Sequence, residues 1–502
     1  MDSCEGCLRD QPTARIADDS LPAVVWGIAA VFVMVELAFS AGYGFQQDEL
    51  YFIEAGRHLA FGYVDQPPVA PLLVRLATMI GGTNPTAVRT LPAMEGGAIV
   101  LLAARQAATF GAGRAGRVLA ALCMAGAPVL LGAAHIGNTT PPALLAWALV
   151  VLCTSTAIAR ARPRWWLGAG IAAGLGLEIN NLMALLLLAL AVGLLATGRF
   201  DLVRTGWPWL AAAIAAVIWA PNVVWQATHD WPQLTMASSL HRENTALADY
   251  LGGLPAQILY GGLFTGPILL AGVVRLWRTP EMRYLAVTVS VLAVYVLAWI
   301  PGKPYYTSGL LPAVLAAGSV ATERWFARGR RPIARRALAV GAILVATLVT
   351  VTAVLPVWPV QDLHAHSTSA DLADTVGWPQ LARAVAAEDK SLTAAATPPT
   401  SIFAGGYPEA AALDVLGPTG LPPVLSGHNA YNMWGPGAAS DSTVLAVDAA
   451  DQLRPYFAQC RTVATVVVPY QVNNDFTGLN LSLCTGPTTS WTGLWSHLKH
   501  DD

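Results

Sequence analysis

The chain has 502 residues, of which 55% are hydrophobic and only 12% are charged, and its mean hydropathy is +0.50. A soluble globular protein carries about 25% charged residues, so this composition excludes an ordinary soluble protein and indicates a polytopic membrane protein. The formal net charge of −2 provides no basic footprint for nucleic acid. We therefore expect the lipid bilayer, and not nucleic acid, as a partner.

Apolar runs of membrane-spanning length occupy the first two thirds of the chain. A helix needs about 20 mostly apolar residues to cross a bilayer, and by that measure we predict eleven spans. The first is too long for a signal-peptide core and lacks a convincing cleavage site, so we expect it to be retained. The predicted spans are approximately 21–42, 91–110, 117–135, 141–159, 165–178, 181–197, 208–226, 253–275, 284–301, 307–323 and 336–356.

Arginine placement predicts the orientation of these spans. Five alternate loops are basic, and the positive-inside rule assigns such loops to the cytoplasm. Their arginines are at positions 114 and 117; 160, 162 and 164; 199 and 204; 275, 278 and 283; and six between 324 and 336. Arg57, Arg75 and Arg89 in the first intervening loop are exceptions to this pattern. We predict a multi-pass protein of the cytoplasmic (inner) membrane, with residues 1–20 as a cytoplasmic tail and 21–356 as the transmembrane domain.

The chain changes character at about residue 357. Charged residues and short β-type runs, separated by Gly, Pro and Asn turns, replace the apolar runs. The predicted fold class is therefore a polytopic α-helical membrane protein of about eleven transmembrane helices, followed by an extracytoplasmic α/β domain at 357–502. Cys460 and Cys484 both fall in this region, where export would permit a disulfide, but the sequence does not decide whether they pair.

Four acidic residues follow the first span closely: Asp48, Glu49, Glu54 and Asp65. Carboxylates beside a bilayer are costly, so this cluster predicts chemistry at the membrane surface, with a solvated loop as the alternative. The segment 49–80 is too short on either side of Pro67-Pro68 to span. We expect short helices in the membrane interface that break at the proline pair, with Glu54 and His58 on one helical face.

The membrane half contains a single lysine, Lys303, in the turn Gly302-Lys303-Pro304-Tyr305-Tyr306. An ammonium group at the outer mouth suits a phosphate, and the alternative is a snorkelling lysine beside an aromatic belt. A carboxylate and a phosphate-binding cation on one face indicate group transfer from a lipid-linked phosphate. The carboxylate would deprotonate a hydroxyl acceptor, while Lys303, Arg57, His58 or Arg75 would stabilise the departing phosphate.

Five further residues are candidates for an acceptor-binding cavity, and each has a structural alternative. His135 and Asn138 precede the fourth span, where Thr139 or Thr140 is also a good helix start. Glu178 ends a glycine-rich span and is either a site residue or a helix-packing partner. Tyr431 and Trp434 would stack on sugar faces or be ordinary buried aromatics.

Taken together, these motifs resemble a bacterial GT-C glycosyltransferase of the protein-mannosyltransferase and aminoarabinose-transferase superfamily. The resemblance rests on the Asp48-Glu49 pair, the segment 63–68, the turn 302–306 and the run 426–436, and covers about 21–485. It implies an inverting transferase that moves a sugar from a polyprenyl-phosphate donor to an envelope glycan, lipid or protein.

The same resemblance assigns roles to individual residues. Asp48 would be the base, with Glu49 beside it in the catalytic pair. Asp65 would help to organise the site and could approach a divalent metal ion, the one possible cofactor. Lys303 would contact the donor phosphate, with Arg57, His58, Tyr305 and Tyr306 as further candidates.

Departures from the family pattern leave the donor sugar open. Asp65-Gln66 stands where aminoarabinose transferases have Glu-Lys, Tyr51-Phe52 where they have Arg-Tyr, and Asn180-Asn181 where many relatives have a lysine. Three other functions remain as alternatives: a transporter or flippase of a lipid-linked or envelope substrate, a non-catalytic membrane partner that binds wall glycan, and a transferase of the same fold that moves a lipid-linked oligosaccharide or a phospho-group. The acidic residues collect at one face and no repeated halves are evident, which favours the enzyme over the transporter.

Overall fold

The computed structural model describes residues 20–243, 255–256, 258–262, 265–299, 304–328, 331–363, 370–468, 472, 474 and 476–501. Lys303 lies outside the described residues, so its predicted contact with phosphate stays a prediction. The described part consists of a helical region followed by a smaller unit built on a mixed β-sheet.

Sixteen numbered α-helices form the described helical region, and parts of them coincide with all eleven predicted spans. They are α1 (Ala23–Phe39), α2 (Gln47–Arg57), α3 (Val69–Gly81), α4 (Pro85–Thr109), α5 (Arg114–Ala125), α6 (Pro128–Ala134), α7 (Thr140–Ala159), α8 (Trp165–Leu177), α9 (Leu182–Ala196), α10 (Phe200–Val203), α11 (Gly206–Thr228), α12 (Pro232–Glu243), α13 (Gly266–Arg278), α14 (Arg283–Trp299), α15 (Leu311–Ala327) and α16 (Pro332–Val354).

Five of the described helices are long and apolar enough to cross a membrane: α4, α7, α11, α14 with its preceding turn, and α16. The pair α5 and α6 would be a sixth span, bent by 59° at the break between them. Pro128 follows this break, and a proline removes a backbone donor and favours the start of a new helix. Helices α1, α8 and α9 are apolar but shorter, so the count of eleven stays a prediction.

Two short helices, α2 and α3, flank Pro67-Pro68 where the sequence predicted a break. Residues 49–56 of α2 are all buried, because this helix packs against α3 and against the C-terminal unit. Helix α3 is different, since Leu72, Leu76, Met79 and Ile80 are exposed. Exposed apolar side chains of this kind suit a membrane surface, so the predicted interfacial location fits α3 better than α2.

The C-terminal unit contains a five-stranded mixed sheet of strand order β2-β1-β3-β5-β4. Strands β1, β2 and β3 are parallel, whereas β5 runs antiparallel to both β3 and β4. Cys460 on β4 lies opposite Cys484 on β5, and the two form a disulfide. The elements are α17 (Ala370–Ala373), α18 (Trp378–Ala394), β1 (Ser401–Ala404), α19 (Tyr407–Leu416), β2 (Val424–Ser426), α20 (Asn429–Trp434), β3 (Thr443–Val447), α21 (Ala450–Leu453), β4 (Phe457–Thr465), β5 (Asn480–Pro487) and α22 (Trp491–Leu494).

The two parts of the molecule share one hydrophobic core. Leu50 and Phe52 of α2 belong to the same buried cluster as Leu413 of α19 and Leu445 of β3. Burial of such side chains stabilises by about 1.5–3 kcal/mol each, so the packing fixes α2 firmly against the sheet unit. The loop that follows the carboxyl end of β1 is thereby placed beside the N-terminus of α2, where the acidic residues begin.

Candidate active site

Asp48 lies in the first turn of α2, and its position is set by the way this helix begins. The Gln46 side chain accepts a hydrogen bond from the Asp48 backbone N–H at 2.6 Å, and the Glu49 carboxylate accepts one from the Gln46 N–H at 2.9 Å. These reciprocal bonds form a capping box. Acidic side chains are also favourable at a helix N-terminus, where backbone N–H groups carry partial positive charge.

Two side chains from distant parts of the chain hold the Asp48 carboxylate. The Tyr407 hydroxyl donates to Oδ1 at 3.0 Å, and the Asn138 amide donates to Oδ2 at 3.3 Å. Tyr407 begins α19 of the sheet unit, whereas Asn138 precedes α7 of the helical region. The carboxylate is thus oriented by both parts of the molecule while remaining partly exposed.

Asp65 has a tyrosine partner of its own. The Tyr51 hydroxyl donates to Asp65 Oδ1 at 2.9 Å, and the Tyr51 ring packs against that of Tyr407 with 4.7 Å between ring centroids. Burial raises the pKa of Asp65 to about 7, although the hydrogen bond from Tyr51 opposes this shift and the negative charge of Asp48 adds to it. Asp48 and Asp65 therefore each accept a hydrogen bond from a tyrosine hydroxyl, and the rings of these two tyrosines pack together.

Beside these acids lies a cavity of about 560 Å³, which Asp48, Asp65, Asn138, Tyr306 and Tyr407 help to line. A smaller pocket of about 160 Å³ shares Asp48, Asn138 and Tyr306 with the cavity and adds Tyr305. The size is within the range of small-molecule sites. The cavity thus brings together the predicted base, the second acid and Tyr306, and the adjoining pocket adds Tyr305.

One wall of the cavity is built from side-chain amides. Asn180, Asn181 and Gln233 line it, and the Asn181 amide donates to the Gln233 side-chain oxygen. Gln233 in turn donates to the backbone oxygen of Tyr63 at 3.0 Å. Amides both donate and accept hydrogen bonds, so this wall suits the hydroxyl groups of a sugar.

Glu49 does not share the environment of Asp48, because its side chain is fully buried in an ion pair. The Arg89 guanidinium donates to both Glu49 oxygens, at 2.9 Å and 2.7 Å, and the Gly137 N–H donates to Oε1 at 3.0 Å. Position 137 has room only for glycine, since a Cβ there would lie 2.3 Å from the Val88 side chain. The placement indicates that Glu49 anchors the start of α2.

His135 belongs to the same buried network. Its Nδ1 lies 3.1 Å from Glu36 Oε2, and its Nε2 lies 3.4 Å from an Arg89 nitrogen. Arg89 also donates to the backbone oxygens of Ser40 and Gly44, at 2.8 Å and 2.7 Å. The network therefore ties α1, α2 and α4 together behind Asp48, and His135 is not among the residues that line the cavity.

Four of the other predicted site residues, Arg57, His58, Tyr431 and Trp434, contact the sheet unit or belong to it. Arg57 pairs with Glu54 at 2.7 Å, and His58 Nδ1 lies 3.4 Å from Glu54 Oε1, as the predicted common face requires. The His58 ring stacks on Trp434 at 4.4 Å. Tyr431 is buried and donates to Asp414 at 2.8 Å. These contacts connect α2 to α19 and α20, and none of the four residues lines the cavity.

The remaining predictions concern Glu178 and a metal ion. Glu178 is buried at the end of α8, where its backbone oxygen accepts from the Val69 N–H at the start of α3, and its side chain does not line the cavity. Within the described residues, no group of three or more His, Cys, Asp or Glu side chains is arranged to hold a metal. Magnesium ions need about six oxygens, often several from water and substrate, so a metal near Asp65 stays a prediction.

Sequence reasoning missed Tyr407, Arg89 and Gln233. Arg89 had a signal, because it broke the pattern of arginine-poor external loops. Tyr407 had none, since its contact with Asp48 joins residues 359 positions apart. Tyr51 was noted only as a departure from the family pattern, yet it is the partner of Asp65.

Comparisons with known proteins agree with this architecture. A sequence profile of the family described as dolichyl-phosphate-mannose-protein mannosyltransferase matches residues 65–225. ArnT from Cupriavidus metallidurans in the apo state aligns over 92% of this chain and 98% of that chain, with a TM-score of 0.61 and 15% identity. With undecaprenyl phosphate bound, the same protein aligns over the same shares, with a TM-score of 0.58 and 16% identity.

A more distant structural match is the archaeal oligosaccharyltransferase AglB from Archaeoglobus fulgidus, in complex with an inhibitory peptide and a dolichol-phosphate. It aligns over 85% of this chain and 70% of that chain, with a TM-score of 0.51 and 11% identity. No curated protein sequence matches the chain. The solved structures establish a shared fold, that of a polytopic helical membrane protein, and with the family match they confirm the resemblance inferred from the motifs.

Proposed function

We propose that this chain, a member of the GT-C superfamily with an ArnT-like fold, transfers a sugar from a polyprenyl-phosphate carrier to a hydroxyl acceptor. Transfer would take place at the outer face of the cytoplasmic membrane, with inversion at the anomeric carbon. The proposal rests on the position of Asp48, whose carboxylate lies in the wall of the cavity and accepts hydrogen bonds from Tyr407 and Asn138.

The reaction needs one base and one leaving group. Asp48 takes the proton from the acceptor hydroxyl, and the acceptor oxygen attacks the anomeric carbon from the side opposite the carrier phosphate. The bond between that carbon and the phosphate oxygen breaks as the new glycosidic bond forms. Because the attack comes from the side opposite the phosphate, the configuration at the anomeric carbon inverts. Polyprenyl phosphate departs with the bonding electron pair, so the negative charge of Asp48 is passed to the released phosphate.

Cations should stabilise the departing phosphate. Tyr305 and Tyr306 line the pocket beside Asp48, and Lys303 precedes them by two and three residues. A residue extends the chain by at most about 3.6 Å, so this proximity in sequence supports the predicted role of Lys303. Arg57 contacts Glu54 and His58 stacks on Trp434, and neither lines the cavity, which makes them weaker candidates for the phosphate site.

Asp65 and the amide wall would bind the sugar. With its pKa raised to about 7, Asp65 is partly protonated at neutral pH, so it can donate to or accept from a sugar hydroxyl. Asn180, Asn181 and Gln233 supply further hydrogen-bonding groups without charge.

The proposal is tested by supplying purified protein with a panel of radiolabelled polyprenyl-phosphate sugars and a membrane extract as acceptor. Label should move from at least one donor into the acceptor fraction, with polyprenyl phosphate released in equal amount. The same protein in proteoliposomes should leave the distribution of the lipid between the leaflets unchanged. Movement of intact donor across the bilayer, with no label in any acceptor, would instead establish a flippase.

A further inference from the structure

A second concave site lies between α13, α15 and α16, far along the chain from the acidic residues. It is a groove of about 540 Å³, and apart from Thr322 and Arg335 its lining side chains are apolar. Helices α13 and α15 approach closely at Gly272 and Gly318, where a Cβ would lie 2.1 Å and 2.0 Å from backbone oxygen atoms of the other helix. Helix α16 buries only Ile343 and Ala346, so it stands away from the other two and leaves the groove open.

One end of the groove carries a cation held on an aromatic ring. The Arg335 guanidinium lies 4.4 Å from the centre of the Trp325 ring, and its Nη1 donates to the Trp325 backbone oxygen at 3.0 Å. Trp325 lies in the last turn of α15 and Arg335 in the first turn of α16, so both mark the same end. A guanidinium has five N–H donors, which leaves others able to bind an anionic oxygen.

More positive charge surrounds this end of the groove. The nearby acid, Glu323, accepts from the backbone N–H groups of Gly113 and Gly116 at 2.8 Å and 3.0 Å. Four exposed arginines lie at this end of the two helices: Arg324, Arg328, Arg331 and Arg336. Among the described residues, the structure shows no ion pair between an acid and any of these arginines.

We propose that this groove binds an anionic phospholipid of the membrane. The phosphate would lie against Arg335 and Trp325, and one acyl chain would follow the apolar groove toward Ile343. Eight residues of helix separate Arg335 from Ile343, a rise of about 12 Å, so the groove reaches well beyond the headgroup level. Basic pockets between transmembrane helices at the cytoplasmic side are a recurring mode of recognition for anionic lipid headgroups.

The arginines at one end and the apolar groove beside them together favour an anionic lipid. A purely apolar groove would accept any lipid tail, and an isolated arginine cluster would attract any anion. An amphiphile with a negative head and a long apolar tail satisfies both features at once. The site is independent of the glycosyl-transfer proposal, because it shares no lining residue with the cavity beside Asp48.

The test measures which lipids the full-length purified protein retains. Protein in detergent receives equal amounts of phosphatidylglycerol and phosphatidylcholine with identical acyl chains, and native mass spectrometry counts the lipids that remain bound. Wild type should retain phosphatidylglycerol preferentially. Arg335→Gln removes a charge-assisted hydrogen bond and should lower that preference about tenfold. Arg204→Gln, which removes an exposed arginine from a different basic loop, should leave it unchanged.

A second variant separates recognition from folding. Ala342→Phe fills the groove and keeps every arginine, so it should reduce phosphatidylglycerol retention. It tests the site even if the Arg335→Gln protein does not stay folded. The proposal is overturned if wild type retains both lipids equally, or if Ala342→Phe retains phosphatidylglycerol as wild type does. Complete displacement of phosphatidylglycerol by an equal amount of undecaprenyl phosphate would also overturn it, since the groove would then belong to the carrier lipid.

Discussion

The hydrogen bond from Tyr407 to Asp48 makes a specific prediction about turnover. Tyr407→Phe removes the hydroxyl that donates to Asp48 Oδ1 at 3.0 Å but keeps the ring that packs on Tyr51. A hydrogen bond to a charged group is worth about 1.5–3 kcal/mol, and Asp48 is partly exposed, so the lower half of that range applies. We expect kcat to fall about tenfold to fiftyfold, because the carboxylate loses orientation, while KM for the donor changes little.

The assay is the initial rate of sugar transfer as a function of donor concentration, with protein folding checked by thermal unfolding. Tyr456→Phe is the matched control, since it makes the same change in the same unit, and Tyr456 does not line the cavity. A Tyr407→Phe enzyme that is folded and as fast as the Tyr456→Phe enzyme would refute the view that the sheet unit orients the base.

Three further predictions concern stability. Burial raises the pKa of Asp414 to about 7, and the charge of Glu54 adds to that shift, so the ionised form is disfavoured in the folded state. As pH rises from about 4 to 7, wild type should lose at most about 4 kcal/mol relative to Asp414→Asn; parallel Tm profiles of the two proteins would contradict this. Replacing Cys460 and Cys484 with serine removes a disulfide that spans 24 residues and should lower the free energy of unfolding by about 3 kcal/mol. The Tm of the variant should be below that of wild type under oxidising conditions and equal to it under reducing conditions. Arg89→Gln leaves Glu49 buried without its cation and should cost about 3–5 kcal/mol, which the added change Glu49→Gln should partly restore; a double variant no more stable than the single one would argue against the pairing.

The sequence predicted the features that depend on local composition. Apolar runs placed the helices of the membrane half, and Pro67-Pro68 placed the break between α2 and α3. The bent pair of α5 and α6 was treated as one continuous span, although Pro128 lies within that run. The α/β character of the last unit was predicted from its short apolar runs and turn residues, and the described part of that unit contains a five-stranded sheet.

The arrangement of the site could be predicted only in part, because its geometry depends on contacts between distant segments. Asp48 and Asp65 were singled out from their unusual place beside a span, and both line the cavity. Glu49 looked equivalent to Asp48 in the sequence, yet adjacent residues of a helix point about 100° apart, so one faces the cavity and the other Arg89. Nothing local indicated that Tyr407 of the sheet unit would reach the first turn of α2.

The most direct test of the account is the turnover of Asp48→Asn on a donor that wild type uses. This change keeps the size of the side chain and removes the basic carboxylate, and Asp451→Asn makes the same replacement at an exposed acid of the sheet unit. We expect a folded Asp48→Asn protein whose rate is lower by about 100-fold or more, as when a general base is lost, with the rate of Asp451→Asn unchanged. Transfer by Asp48→Asn at the wild-type rate would show that another group removes the proton.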